Sequence, residues 1–149
     1  MSLNEEVEVL RSIPLFAGIE PSKLKLLAFA SERLTYESGS ELFHQGDPGD
    51  AAYVILEGEV DVLIEDVKGA VARLGRNDLV GEIAILCDVP RTATVRAVSK
   101  LVALRISKDL FLRLINEFPR MGVAVMRDLA HRLEAANLKL QSLSPRQPQ

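Results

Sequence analysis

The chain has little of what marks a catalytic, metal-binding or secreted protein. Its 149 residues include one cysteine, Cys87, and no tryptophan, and aromatic residues make up only 5%. A single cysteine excludes an internal disulfide and makes a reducing, cytoplasmic setting the expected one. The two histidines, His44 and His131, stand far apart with no carboxylate or cysteine at a ligand spacing, so no metal is expected. No apolar run approaches the roughly 18–20 residues that cross a bilayer. The opening Met1-Ser2-Leu3-Asn4-Glu5-Glu6 is acidic and lacks the basic start and apolar stretch of a signal peptide. Basic charge is scarce too. A formal net charge of −3 argues against a nucleic-acid partner for this chain by itself, because that footprint needs clustered Lys and Arg.

What remains is the composition of a globular domain, with 48% hydrophobic and 26% charged residues. The length suits one domain with a real core, expected over residues 1–143. Residues 1–32 read as helical: Val7, Leu10 and Ile13 recur at steps of three, and Pro14-Leu15-Phe16-Ala17-Gly18-Ile19 is an apolar turn. Pro21 then opens a helix with Leu24, Leu27, Ala28 and Leu34 on one face. Residues 33–106 carry short β runs between recurring glycines. Examples are Val54-Ile55-Leu56, the better alternating run Val60, Val62 and Ile64, and a pair from Val95 to Ile106. Such dense short strands predict a sandwich or β-roll. From 107 to 143 the period is helical, with Ser107 as a cap and Pro119 opening a longer helix. The tail 144–149, with two prolines, is expected to be disordered.

On the last helix Met126, Leu129, Leu133, Ala136, Leu140 and Leu143 step by three and four, an a/d seam with Arg132 and Lys139 at g positions. It lasts under three heptads. Its first half can pack on its own domain while Met126, Leu133 and Leu140 pair with a second copy, and both readings can hold.

The informative stretch is Gly81-Glu82-Ile83-Ala84, a short gap, then Pro90-Arg91-Thr92-Ala93-Thr94-Val95. It sets one carboxylate and one guanidinium among small or apolar residues. A charge there is costly without a partner, and none is obvious nearby in the sequence. Taken singly, Glu82 reads as a first-turn acid complementing a helix dipole, and Arg91 as a surface charge. Together they point to a ligand bearing both an anion and a free hydroxyl. A cyclic 3′,5′-nucleotide has one phosphate charge and one free 2′-OH. Arg91 can fork two N–H donors onto the phosphate, which lysine cannot reproduce, and Glu82 can accept the 2′-OH. Gly81, Ala84 and Ala93 keep the backbone accessible, Ile83 lies within the same run, and Thr92 adds a hydroxyl near phosphate or base. Cys87 is expected to be a small buried apolar group. Glu57, Glu59, Asp61, Glu65 and Asp66 read as the wet side of a hairpin.

The stretch resembles the phosphate-binding cassette of the cyclic-nucleotide-binding domain family, seen in kinase regulatory subunits, gated channels and catabolite-activator-type regulators. Residues 45–62 are similar to the family's strand–turn–strand ahead of the cassette. Pro14-Leu15-Phe16 and Ala130-His131-Arg132-Leu133 resemble its flanking helices. The resemblance implies a mainly β fold, an eight-stranded antiparallel β-roll (jelly roll) with N-terminal helices and a long C-terminal helix pair. It also implies Glu82 on the ribose and Arg91 on the phosphate. Asn77 stands where many members have glycine and can adopt a left-handed turn; Val80 stands where an aromatic is common. Some channel-type members close an arginine over the base, a place that falls on Arg132, with Leu129 and Leu133 as alternative lids. Thr92 fits cAMP or cGMP.

The implied function is a sensor that takes cAMP or cGMP as ligand, needs no cofactor, and relays occupancy through its C-terminal helix to an unknown effector protein. The alternatives are a non-binding interaction module, or a regulatory piece of a transcription regulator, channel or transporter. An enzyme is not expected: the sequence offers no nucleophile–base pair, metal set or paired acid.

Overall fold

The computed structural model describes residues 3–143; the tail 144–149 and the side chain of Leu143 lie outside the described residues. The chain opens with α1 (Leu3–Arg11), a 3-10 turn (Pro14–Phe16) and α2 (Pro21–Ala30). Six strands follow: β1 (Glu32–Tyr36), β2 (Glu41–Phe43), β3 (Ala51–Glu57), β4 (Val60–Leu63), β5 (Ala72–Leu74) and β6 (Leu79–Val80). A short helix, α3 (Glu82–Leu86), leads into β7 (Thr94–Ala97) and β8 (Leu101–Ser107), and the chain closes with α4 (Lys108–Glu117) and α5 (Pro119–Leu143).

The strands form two four-stranded antiparallel sheets, β1-β8-β3-β6 and β2-β7-β4-β5, the two layers of a β-roll. Strand β3 explains how the layers divide. Ala51, Tyr53 and Ile55 face the second sheet, with Val60, Val80, Val95 and Ala103. Ala52, Val54 and Leu56 point the other way, into a core closed by Phe16, Leu24, Leu27, Phe111, Met121 and Val125 from the helices. A strand covered on both faces reads as a continuous apolar run rather than an alternation. For that reason the stretch around Val54 forms the longer strand, while the better-alternating run stops at Leu63 and leaves Ile64 outside it.

Two local expectations are corrected. Leu34 belongs to β1, paired with Ala103, and not to the α2 face; Ser31, extended, ends the helix before it. Cys87 is exposed at the C-terminal end of α3, because the face of that short helix turned toward the core carries Ala84 and Ile85 instead. Ser107 does cap α4, its hydroxyl accepting from Leu110 N–H at 3.3 Å. Asn77 takes the left-handed conformation at φ 73°. Among the described residues no helix is long and apolar enough to cross a membrane.

Candidate functional site

The turn between β6 and α3 and the loop before β7 bring Glu82 and Arg91 near one another, Arg91 in the wall of a cleft and Glu82 buried behind that wall rather than lining it. Gly81 makes the turn possible. It sits at φ 85°, and a Cβ there would lie 2.6 Å from Arg91 Nη1 and 3.2 Å from the Ala51 carbonyl. Only glycine meets both demands. No side chain caps α3, which begins at Glu82. The loop around Asp47 clasps the arginine by backbone: Arg91 N–H donates to Asp47 O at 2.8 Å, and Gly46 N–H donates to Arg91 O at 2.9 Å. Gly49 lies so close to α3 that a Cβ would fall 2.4 Å from that of Ala84.

The cleft is open to solvent and has a volume of about 90 Å³ between its walls. Gly81, Ile83, Ala84, Arg91, Thr92 and Ala93 all line it, as does Arg132 from α5. Glu82 is 1% exposed and Arg91 3%, so both charges are buried. Leu129 and Leu133 are not among the lining residues. Leu129 packs against the helix-side core and Leu133 points outward, 64% exposed.

Each charge does have partners, all distant in sequence. Arg91 lies over the Phe43 ring with its guanidinium carbon 3.9 Å from the centroid. Nη1 donates to Gly81 O at 2.8 Å and Nη2 to Ala51 O at 2.6 Å. Nη2 reaches Asp50 Oδ1 only at 3.5 Å, and Asp50 is also held by Arg105 at 3.2 Å. Nε is buried with no hydrogen-bond partner among the described residues. The Nε–Nη2 edge, the side on which a guanidinium grips an anion in a fork, is thus the under-used one. Burial lowers the Arg91 pKa, opposed by Tyr53, Asp50 and Asp47.

Glu82 Oε1 is 3.3 Å from Arg132 Nη1. Arg132 Nη2 also donates to Leu79 O and lies 2.9 Å from Asp128 Oδ2. Burial pushes the Glu82 carboxyl above its ordinary value, with Arg132 opposing the shift. The acceptor expected to hold a ribose is therefore engaged by the helix that closes the cleft. Sequence reading missed Phe43, Asp50, Asp128, and the wall residues Val62 and Leu74. Asp50 sits in the 45–50 motif and was open to notice there; Phe43 and Asp128 carry no local signal.

The fold is a β-roll with the cassette between β6 and β7, and the comparisons say to which family it belongs. The family model described as cyclic nucleotide-binding domain matches residues 33–118, over half of the chain. The chain belongs to the cyclic-nucleotide-binding domain family. It is 36% identical over 107 residues to a cAMP-dependent protein kinase regulatory subunit of Aspergillus fumigatus, covering 72% of this chain and 26% of that protein. It is 32% identical over 138 residues to the cyclic AMP receptor protein of Thermus thermophilus, covering 91% of this chain and 64% of the receptor. Among solved structures, the regulatory subunit of a cAMP-independent protein kinase A from Trypanosoma brucei superposes with a TM-score of 0.75. That match is at 25% identity over 87% of this chain and 46% of the other. These relatives are regulatory proteins, and this chain spans less than two thirds of each.

Proposed function

We propose that the domain binds a cyclic 3′,5′-nucleotide, cAMP foremost, and signals occupancy through α5. The observation that carries this is the buried Arg91 in the cleft wall, whose Nε–H lacks an acceptor, with Glu82 buried between the lining residues Gly81 and Ile83. A phosphate on the Nε–Nη2 edge replaces the long contact to Asp50, which keeps Arg105 as its counter-ion. The ribose 2′-OH then reaches Glu82 in competition with Arg132. A ligand that replaces an α5 contact favours a different α5 position by its differential affinity for the two states, and no more than that. The names of the Aspergillus and Thermus relatives support cAMP as the base form; cGMP remains the alternative through Thr92, which is exposed at the cleft wall.

The trypanosome neighbour supports a second reading, a non-binding module, since its kinase is described as cAMP-independent on the same fold. Titration calorimetry with cAMP, cGMP and linear AMP separates the two. Binding of a cyclic nucleotide with AMP far weaker is the expected result. No heat with either cyclic nucleotide, or equal affinity for AMP, defeats the sensor reading.

The relay ends in a separate effector protein, and α5 also supports pairing with a second copy. Met126, Leu133 and Leu140 are 62, 64 and 60% exposed on one seam, an unusual load of apolar surface for a free helix. Replacing Leu133 and Leu140 with glutamate is expected to convert a dimer to a monomer in sedimentation velocity at micromolar concentration. A wild-type monomer removes the seam from the proposal.

A further inference from the structure

Away from the nucleotide cleft, the 3-10 turn and the first half of α5 form the walls of an open trough. One stretch of it has a volume of about 470 Å³ and an adjoining stretch about 390 Å³; both are lined by Pro14, Leu15, Ala124 and Arg127. None of the lining residues is shared with the nucleotide cleft. The floor is apolar, with Leu15, Val123 and Ala124 over the buried Met121. Arg120 and Arg127 stand on it, both exposed, and the Arg120 stem lies across Gly18, where a Cβ would be 3.4 Å from its Cδ.

These two arginines differ from the next one along the helix. Arg132 is paired with Glu82 and Asp128, whereas neither Arg120 nor Arg127 has an ion-pair partner among the described residues. The carboxylates that border the trough are already engaged. Asp78 accepts from Gly75 N–H at 2.8 Å, and Asp128 faces Arg132 at 2.9 Å. Seven residues of helix separate Arg120 from Arg127, about 10 Å along the axis at ~1.5 Å per residue.

We propose that this trough is the docking site for an acidic amphipathic helix of a partner protein. An apolar stripe fills the floor, and carboxylates one i, i+7 step apart meet the two guanidinium groups. The chemistry selects against other occupants. A small anion spans one arginine and leaves the floor wet. A nucleic-acid backbone has charge but no apolar groups for the floor, and a bilayer surface does not enter a concave trough. The site also explains how a signal leaves the domain. One wall of the trough is α5, the helix that carries Arg132 to Glu82, so a partner bridging α5 and the 3-10 turn senses any shift of one against the other. That consequence rests on the cyclic-nucleotide reading; the docking itself does not.

The test uses the full chain and a fluorescein-labelled synthetic helix of about 16 residues, with leucines at i, i+3, i+4 and i+7 flanked by glutamates at seven-residue spacing. A sister peptide carries lysine for each glutamate. Fluorescence anisotropy is expected to show saturable binding of the acidic peptide and affinity for the basic one weaker by about tenfold or more. The double variant Arg120→Glu/Arg127→Glu, both sites exposed, is expected to invert that preference while keeping the wild-type melting temperature. No binding of the acidic peptide, equal binding of both, or an unchanged preference in the double variant overturns the proposal. So does self-association lost in the double variant without peptide binding, which makes a second copy the occupant. Flotation with anionic vesicles that the double variant abolishes, again without peptide binding, overturns it in favour of a membrane. Repeating the titration with cAMP shown to be bound tests the consequence: a shift of about fivefold supports coupling, and equal affinities refute it. If cAMP fails to bind, the functional reading falls and the peptide result still stands or falls alone.

Discussion

Arg91→Ala is expected to weaken cAMP binding by about 2–5 kcal/mol, the range for removing one member of a desolvated charge pair. The guanidinium is the cleft's buried cation and lies on the face of Phe43, and its side chain is 1% exposed. Water can therefore do little to replace it as counter-charge to a phosphate. The same substitution strips the Gly81 and Ala51 carbonyls of their donors, so some loss of fold stability, about 1–3 kcal/mol per stranded group, accompanies it. Arg91→Lys separates the two effects. It keeps the charge but loses the planar fork, and it is expected to bind between wild type and alanine. Calorimetry at a temperature well below the unfolding midpoint of each variant reads the binding term. Wild-type affinity in folded Arg91→Ala would remove the phosphate role.

Glu82→Ala is expected to cost about 1.5–3 kcal/mol of cAMP binding, the scale of a hydrogen bond to a charged group. The diagnostic is the ligand rather than the variant. Wild type should discriminate against 2′-deoxy-cAMP, and Glu82→Ala should bind the two nearly alike, because the acceptor that told them apart is gone. Discrimination that survives the substitution places the 2′-OH elsewhere. The carboxyl also has a pH signature. Burial raises its pKa in the folded chain above the ordinary 4.5, so the folded state holds the proton more tightly than the unfolded one. Its contribution to stability is greatest below that ordinary value and falls as pH rises through the raised folded value. Glu82→Gln should flatten this segment of the stability–pH curve, measured by denaturant unfolding, and should retain part of the ribose contact. Without the carboxylate, Arg132 keeps only the Leu79 carbonyl as a partner outside its own helix, so both variants should also loosen α5.

Local pattern was enough where one residue's conformation or one period decides the outcome. Ser107 caps a helix because its hydroxyl can reach the N–H three residues on, and Asn77 turns left-handed because its side chain tolerates it. The Gly81-Glu82 and Pro90-Arg91 steps come from one contiguous cassette, which keeps their spacing short enough to read. Periodicity failed where burial comes from both sides. The run around Val54 lacks alternation because one sheet face packs on strands and the other on helices. Cys87 looked buried by type, but the short helix α3 turns Ala84 and Ile85 inward and leaves the thiol out.

The sequence by itself determined short strands between flanking helices and set Glu82 and Arg91 in one cassette, because each depends on short-range spacing and backbone preference; the eight-stranded roll was implied by the family resemblance. Only the tertiary structure decided what those two charges meet. Phe43 under the guanidinium, Asp50 shared with Arg105, and Arg132 drawn to Glu82 come from segments up to 55 residues apart. Sheet register and the path of α5 set such distances, and no local pattern encodes them. The same is true of Arg120 and Arg127. No local signal marks them; the 3-10 turn packed opposite makes a trough of that face.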